Sequence, residues 1–94
     1  MIIPIEAIPN QKFIVNLDEK ECQIELLSRG LNIFMNLTVD DVVVFQGIIC
    51  LNGVNLLSQD YYPLKGSLYF EDTQGNLDPL YFGLGSRWVL NYVQ

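Results

Sequence analysis

The sequence predicts an all-β fold: a small antiparallel sandwich or barrel of about six to eight short strands, with at most one short helical turn near residues 78–83. Three observations point to it. Apolar residues recur with period two along most of the chain, which is the signature of half-buried strands. Clusters of Asp, Asn, Gly and Pro interrupt that pattern about every eight to twelve residues. Outside Leu77–Leu84 no stretch has the character of a helix.

The elements follow in order. MIIPIEAIPN is apolar but broken by Pro4, Glu6 and Pro9, and it lacks the basic region and long apolar run of a signal peptide. Phe13, Val15 and Leu17 alternate with Ile14, Asn16 and Asp18. The charged run Asp18, Glu19, Lys20 and Glu21 then makes a hairpin turn into Cys22, Ile24 and Leu26. After the break at Ser28–Gly30, Leu31, Ile33, Met35, Leu37 and Val39 share one face, and this is the clearest strand. Asp40 and Asp41 form the next turn.

VVVFQGIIC follows, rich in β-branched residues. Its apolar residues fall on both faces, so the sequence predicts a strand covered on both sides. Asn52–Gly53, between IICL and VNLL, is a strong hairpin dipeptide, although uneven flanks leave a bulge or loop open. Ser58–Gly66 has no period and reads as a loop. SLYFED and RWVLNYV are the last strands, joined through DTQGNLDP, where Asp78 is placed to cap a helical turn whose first residue is Pro79.

At 94 residues the chain is expected to form one β domain, residues 1–94, with a thin core. Half the residues are hydrophobic and only 17% charged, against roughly 25% charged in an average soluble protein. Eleven acidic and five basic residues give a net charge of −6. That charge repels phosphate backbones and anionic headgroups, so neither nucleic acid nor membrane is an expected partner. No apolar run approaches the roughly 20 residues of a membrane-spanning helix. Cys22 and Cys50 are too few and too far apart for a disulfide framework or a zinc site; one bridge between them stays open.

With no histidine, triads of the Ser-His-Asp or Cys-His type and the usual zinc sites are absent. The carboxylate pairs Glu19/Glu21, Asp40/Asp41 and Glu71/Asp72 lie in or beside turns, where solvation alone explains them. No catalytic residue, cofactor site or metal site is expected. DTQGNLDPLYFG matches a helix–loop–helix calcium loop at its first position alone, since Gln74, Gly75 and Gly83 fall at the wrong places. Asp, Asn, Gly and Pro are also what a tight reversal requires. The turn reading is preferred.

The aromatic residues are more informative. Tyr61, Tyr62, Tyr81, Phe82 and Trp88 fall in or near the two irregular segments, and so small a domain is not expected to bury them all. Together with the low charge they predict an apolar patch that another chain covers. These five residues are the candidate interface.

Several weak features in one order carry a resemblance. IPIEAIPNQKFIVNLDEKECQIEL has an apolar lead, a Pro-Asn before Gln-X-Phe and a strand–turn–strand. LNIFMNLTV follows, then GIICLNGVNLL, and the chain closes with LYFEDTQGNLDPLYFGLGSRWVLNYV, in which an Asp and Gly turn, Asp-Pro and Leu-Gly precede a basic residue entering the last strand. The chain resembles, over nearly its whole length, small phage tail proteins of the cyanophage baseplate plug family. The resemblance implies a non-enzymatic virion protein of a contractile-tailed phage, in the baseplate near the central hub and the start of the tail tube. Its partners would be other baseplate, hub or tail-tube subunits and copies of itself, met in the host cytoplasm during assembly. The competing class is a small ligand- or carbohydrate-binding β module that stacks a sugar on Tyr61, Tyr62 or Trp88.

Overall fold

The period-two alternation becomes seven strands in two antiparallel sheets in the computed structural model, which describes residues 1–59 and 61–94. Asp60, inside the loop read from Ser58 to Gly66, lies outside the described residues. One sheet has the order β2-β3-β4-β5: β2 is Asn10–Leu17, β3 Lys20–Arg29, β4 Asn32–Val39 and β5 Val42–Cys50. The other has the order β1-β7-β6: β1 is Ile2–Ile3, β6 Ser67–Asp72 and β7 Trp88–Val93.

Two-residue loops fix the register of the first sheet. Asp18 and Glu19 join Leu17 to Lys20 with φ of 54° and 63°, and Asp40 and Asp41 join Val39 to Val42 with φ of 49° and 66°. Left-handed backbone at both central positions matches the right-handed twist of the flanking strands, and Asp tolerates it. At the opposite end of the sheet Gly30, at φ 60°, begins the β3–β4 turn. The acidic turns are bound together: the Asp40 carboxylate accepts from Glu21 N at 3.0 Å, and Asp40 N donates to Glu21 O at 2.9 Å.

The inner faces share one core. Cys22, Ile24 and Leu26 of β3 and Ile33, Met35, Leu37 and Val39 of β4 are buried, as are Ile3, Leu68, Phe70, Trp88, Leu90 and Tyr92 of the other sheet. Each such aliphatic or aromatic side chain contributes about 1.5–3 kcal/mol by leaving water. Leu31, expected on the inner face of β4, sits in the turn and is 80% exposed. The sheets are also tethered by polar groups, since the Tyr92 hydroxyl donates to Asp18 of the β2–β3 turn and accepts from Gly66 N at 3.1 Å. Cys22 and Cys50 are free thiols, both buried.

Two sequence expectations, for β5 and for the Asp78 cap, are corrected, and of the readings open at Asn52–Gly53 the structure takes the loop. β5 is not covered on both sides: it is an edge strand that buries Phe45 and Cys50 and exposes Val42, Val43, Ile48 and Ile49. Asn52–Gly53 forms no hairpin. Val54 N bonds Leu51 O at 3.3 Å around Gly53, whose φ is 73°, and the chain leaves β5 to run along β6. The helical turn is a 3₁₀ turn over Tyr81–Gly83 preceded by Leu80, so Asp78 caps nothing there. Its carboxylate accepts instead from Asn52 N at 2.9 Å, closing the turn onto the segment beside β6.

Candidate assembly surface

The connection from β6 to β7 is held by a single carboxylate. Asp72 receives Arg87 in a fork, Nε to Oδ1 and Nη2 to Oδ2, both at 2.9 Å. It also accepts from Gln74 N at 2.9 Å and Leu77 N at 3.0 Å. Its side chain is fully buried while that of Arg87 is 28% exposed. The Arg87 guanidinium holds the Asp72 carboxyl well below the usual carboxylate range against the desolvation that would raise it, with help from the two backbone N–H groups. The first residue of the supposed metal loop is therefore the acceptor that folds the loop.

Arg87 also lies over the Trp88 ring, 4.6 Å from its centroid, and Trp88 Nε1 donates to Leu77 O at 3.0 Å. Gly83 makes the 3₁₀ turn possible at this spot, because a Cβ there would press into the Trp88 ring. On this framework Tyr81 and Phe82 are presented outward. Phe82 is 65% exposed and rests its ring against Trp88, 6.2 Å between centroids.

The five candidate residues do not form one cluster. Tyr81 and Phe82 border a small recess with Gly30 and Leu31, at the end of the sandwich where β3 turns into β4. Tyr61 and Tyr62 lie beside Val42–Val44 and the Asp40 turn, at the opposite end. Tyr61 is 79% exposed; Tyr62 is half-buried, 5.9 Å from the Phe45 ring. Trp88 is fully buried, so it supports Phe82 from beneath and touches nothing outside the fold. Alternation in RWVLNYV was the signal for this, since Trp88, Leu90 and Tyr92 share the inner face of β7.

Strand edges add what the aromatic residues alone did not indicate. Of the four edges, β1 is only two residues long. β2 carries Lys12, and the chain before it is folded back by paired bonds between Gln11 and the Glu6 backbone, at 2.7 and 3.0 Å. β6 is covered by residues 52–56: Gly53 N bonds Phe70 O at 2.8 Å and Leu56 N bonds Leu68 O at 2.7 Å. The amide side chains of Asn52 and Asn55 complete that cover by accepting from Asp72 N and Leu68 N, each at 2.9 Å. β5 has nine residues, no charge and no covering segment among the described residues. Charged side chains, short length, covering segments and bulges are the usual protections of an edge, and of these β5 has only bulges.

β5 does have bulges. Its register against β4 shifts on both sides of Leu37, and Gly47, at φ 66°, donates its N–H to the Asn36 side chain at 2.7 Å. The strand therefore bends and offers its edge in two short pieces, Val42–Val44 and Ile48–Cys50.

The whole chain, residues 1–94, matches the family described as cyanophage baseplate Pam3 plug gp18. No curated protein matches it.

Proposed function

The chain belongs to the cyanophage baseplate plug family, and from that premise we propose that it is a structural subunit of a contractile-tailed phage baseplate, near the central hub and the start of the tail tube. It acts through protein–protein contacts with other baseplate, hub or tail-tube subunits and with copies of itself. Its place in the virion is the tail baseplate, reached from the host cytoplasm during assembly. It carries out no catalysis.

The family match over the full length carries this reading. The surface supports it: an uncharged open edge and exposed Phe82, Tyr61 and Leu31 are groups that a soluble monomer gains nothing by exposing. Stability is then shared between fold and assembly. The carbohydrate-binding alternative has no such support, because Trp88 is buried and the Tyr61 and Tyr62 rings meet at 72°, which makes no flat platform.

Purified tails test the proposal. Labelled chain is expected to co-purify with the baseplate and to be found on the tail axis, and Tyr62→Ser is expected to reduce its incorporation while the isolated fold stays intact. Absence from tails, with a well-behaved monomer that binds sugar, would overturn it.

A further inference from the structure

The first piece of the β5 edge faces a trough. About 410 Å³ of open space is lined by Val42, Val43 and Val44 of β5 and by Tyr61, Tyr62 and Pro63 of the following loop, with Lys20 and Asp40 also at its border. Val39 and Val42 close a two-residue hairpin. In the alternation of an antiparallel ladder the next residue, Val43, turns its N–H and C=O away from β4, and its side chain lines this space together with Val39 of β4. Donor, acceptor and apolar side chains are thus presented together, which is what the addition of a strand requires.

The geometry points to a short extended segment of a different polypeptide, added as a strand along Val42–Val44, with apolar side chains in the trough and Lys or Arg beside the acidic turns. The inference rests on the reading of this chain as an assembly subunit. Its length follows from the bulges, which break the ladder at Val44 and again at Gln46–Gly47, so that the partner strand runs only a few residues before the edge bends. Its charge follows from the surroundings. The two turns at this end carry Asp18, Glu19, Asp40 and Asp41, with Glu21 at the start of β3, against Lys20 and Lys65 nearby. A basic flank complements that excess. A second copy fits less well: it brings another net charge of −6, and two β5 edges paired about a two-fold axis would set their bulges against each other.

The test uses the full chain in purified tails, with a benzophenone amino acid at position 43 and the same probe at position 82 as reference. On irradiation, position 43 is expected to link to a different polypeptide, within a stretch of alternating apolar residues next to Lys or Arg. A link to a second copy of this chain would overturn the inference, as would no link from 43 while 82 reacts. Absence of the labelled chain from tails would instead overturn the functional reading, and this inference with it. Val43→Pro gives an independent arm, because an edge strand tolerates proline where the N–H points outward. The isolated variant should melt like the parent yet enter tails about tenfold less well, the worth of one backbone hydrogen bond. Equal incorporation would overturn the inference.

Discussion

The edges of β6 and β5 receive opposite treatment in one small chain. Along β6, two asparagine side chains and two backbone N–H groups satisfy the outer row of the strand, so the edge is finished within the monomer. β5 is longer and more apolar, yet it is left bare. The segment that seals β6 leaves directly from the end of β5, so the chain closes one edge as it abandons the other. A covering segment is therefore available to this fold, whereas β5 is interrupted only by its bulges, and that contrast is the basis for proposing a partner there.

The comparison can be broken or sharpened by experiment, beginning with the largest expected effect. Cys50 ends β5, and burial pushes its thiol up to about 12. Against an ordinary thiol near 8.5, alkylation of the native protein at pH 8 should be about a thousandfold slower or more. Faster labelling would mean that the second piece of β5 opens readily, and the edge would then be mobile as well as bare.

Next is the seal itself. Asn55→Ala removes the acceptor of Leu57 N and Leu68 N, both on buried residues, and is expected to cost about 2–4 kcal/mol in urea unfolding. A loss under about 0.5 kcal/mol would mean that water replaces the amide and that β6 is not truly sealed. The Asp72–Arg87 fork is read through its pH dependence. The native pKa of Asp72 lies below its unfolded value, so its contribution is complete above about pH 4 and is lost as the pH falls toward the depressed native value. Asp72→Asn should flatten the fall in stability below about pH 4. An unchanged acid limb would assign that fall to other carboxylates.

The smallest effect is expected at the open edge. Val42→Thr should change the stability of the isolated chain by no more than about 0.5 kcal/mol, because the side chain is 67% exposed and supports nothing beneath it. A larger loss would show that β5 belongs to the fold more than to an interface.

What the sequence revealed and what it hid follow the same division. Local chemistry was legible: the alternation of β4 and the acidic turns at Asp18–Glu19 and Asp40–Asp41 depend on residues a few positions apart. Edges were not. A strand apolar on both faces reads as covered on both sides, yet VVVFQGIIC has that pattern with Val42, Val43, Ile48 and Ile49 exposed. Asn52–Gly53 announced a turn correctly but carried no information on where the chain goes next. The candidate residues fared unevenly for a related reason: aromatic type does not encode depth, so Trp88 and Phe82 looked alike until the period of β7 put one in the core. Arg87, the only basic residue in the closing stretch, was the available signal for the fork with Asp72.

Hydrogen exchange read by peptide tests the central claim most directly, on the free chain and on the chain in purified baseplates. The peptide covering 67–72 should be protected in both, since its edge is sealed within the monomer. In the peptide covering 42–50, the amides that point away from β4 should exchange rapidly in the free chain and become protected in the baseplate. Exchange in 42–50 that is equally fast in both would contradict the account.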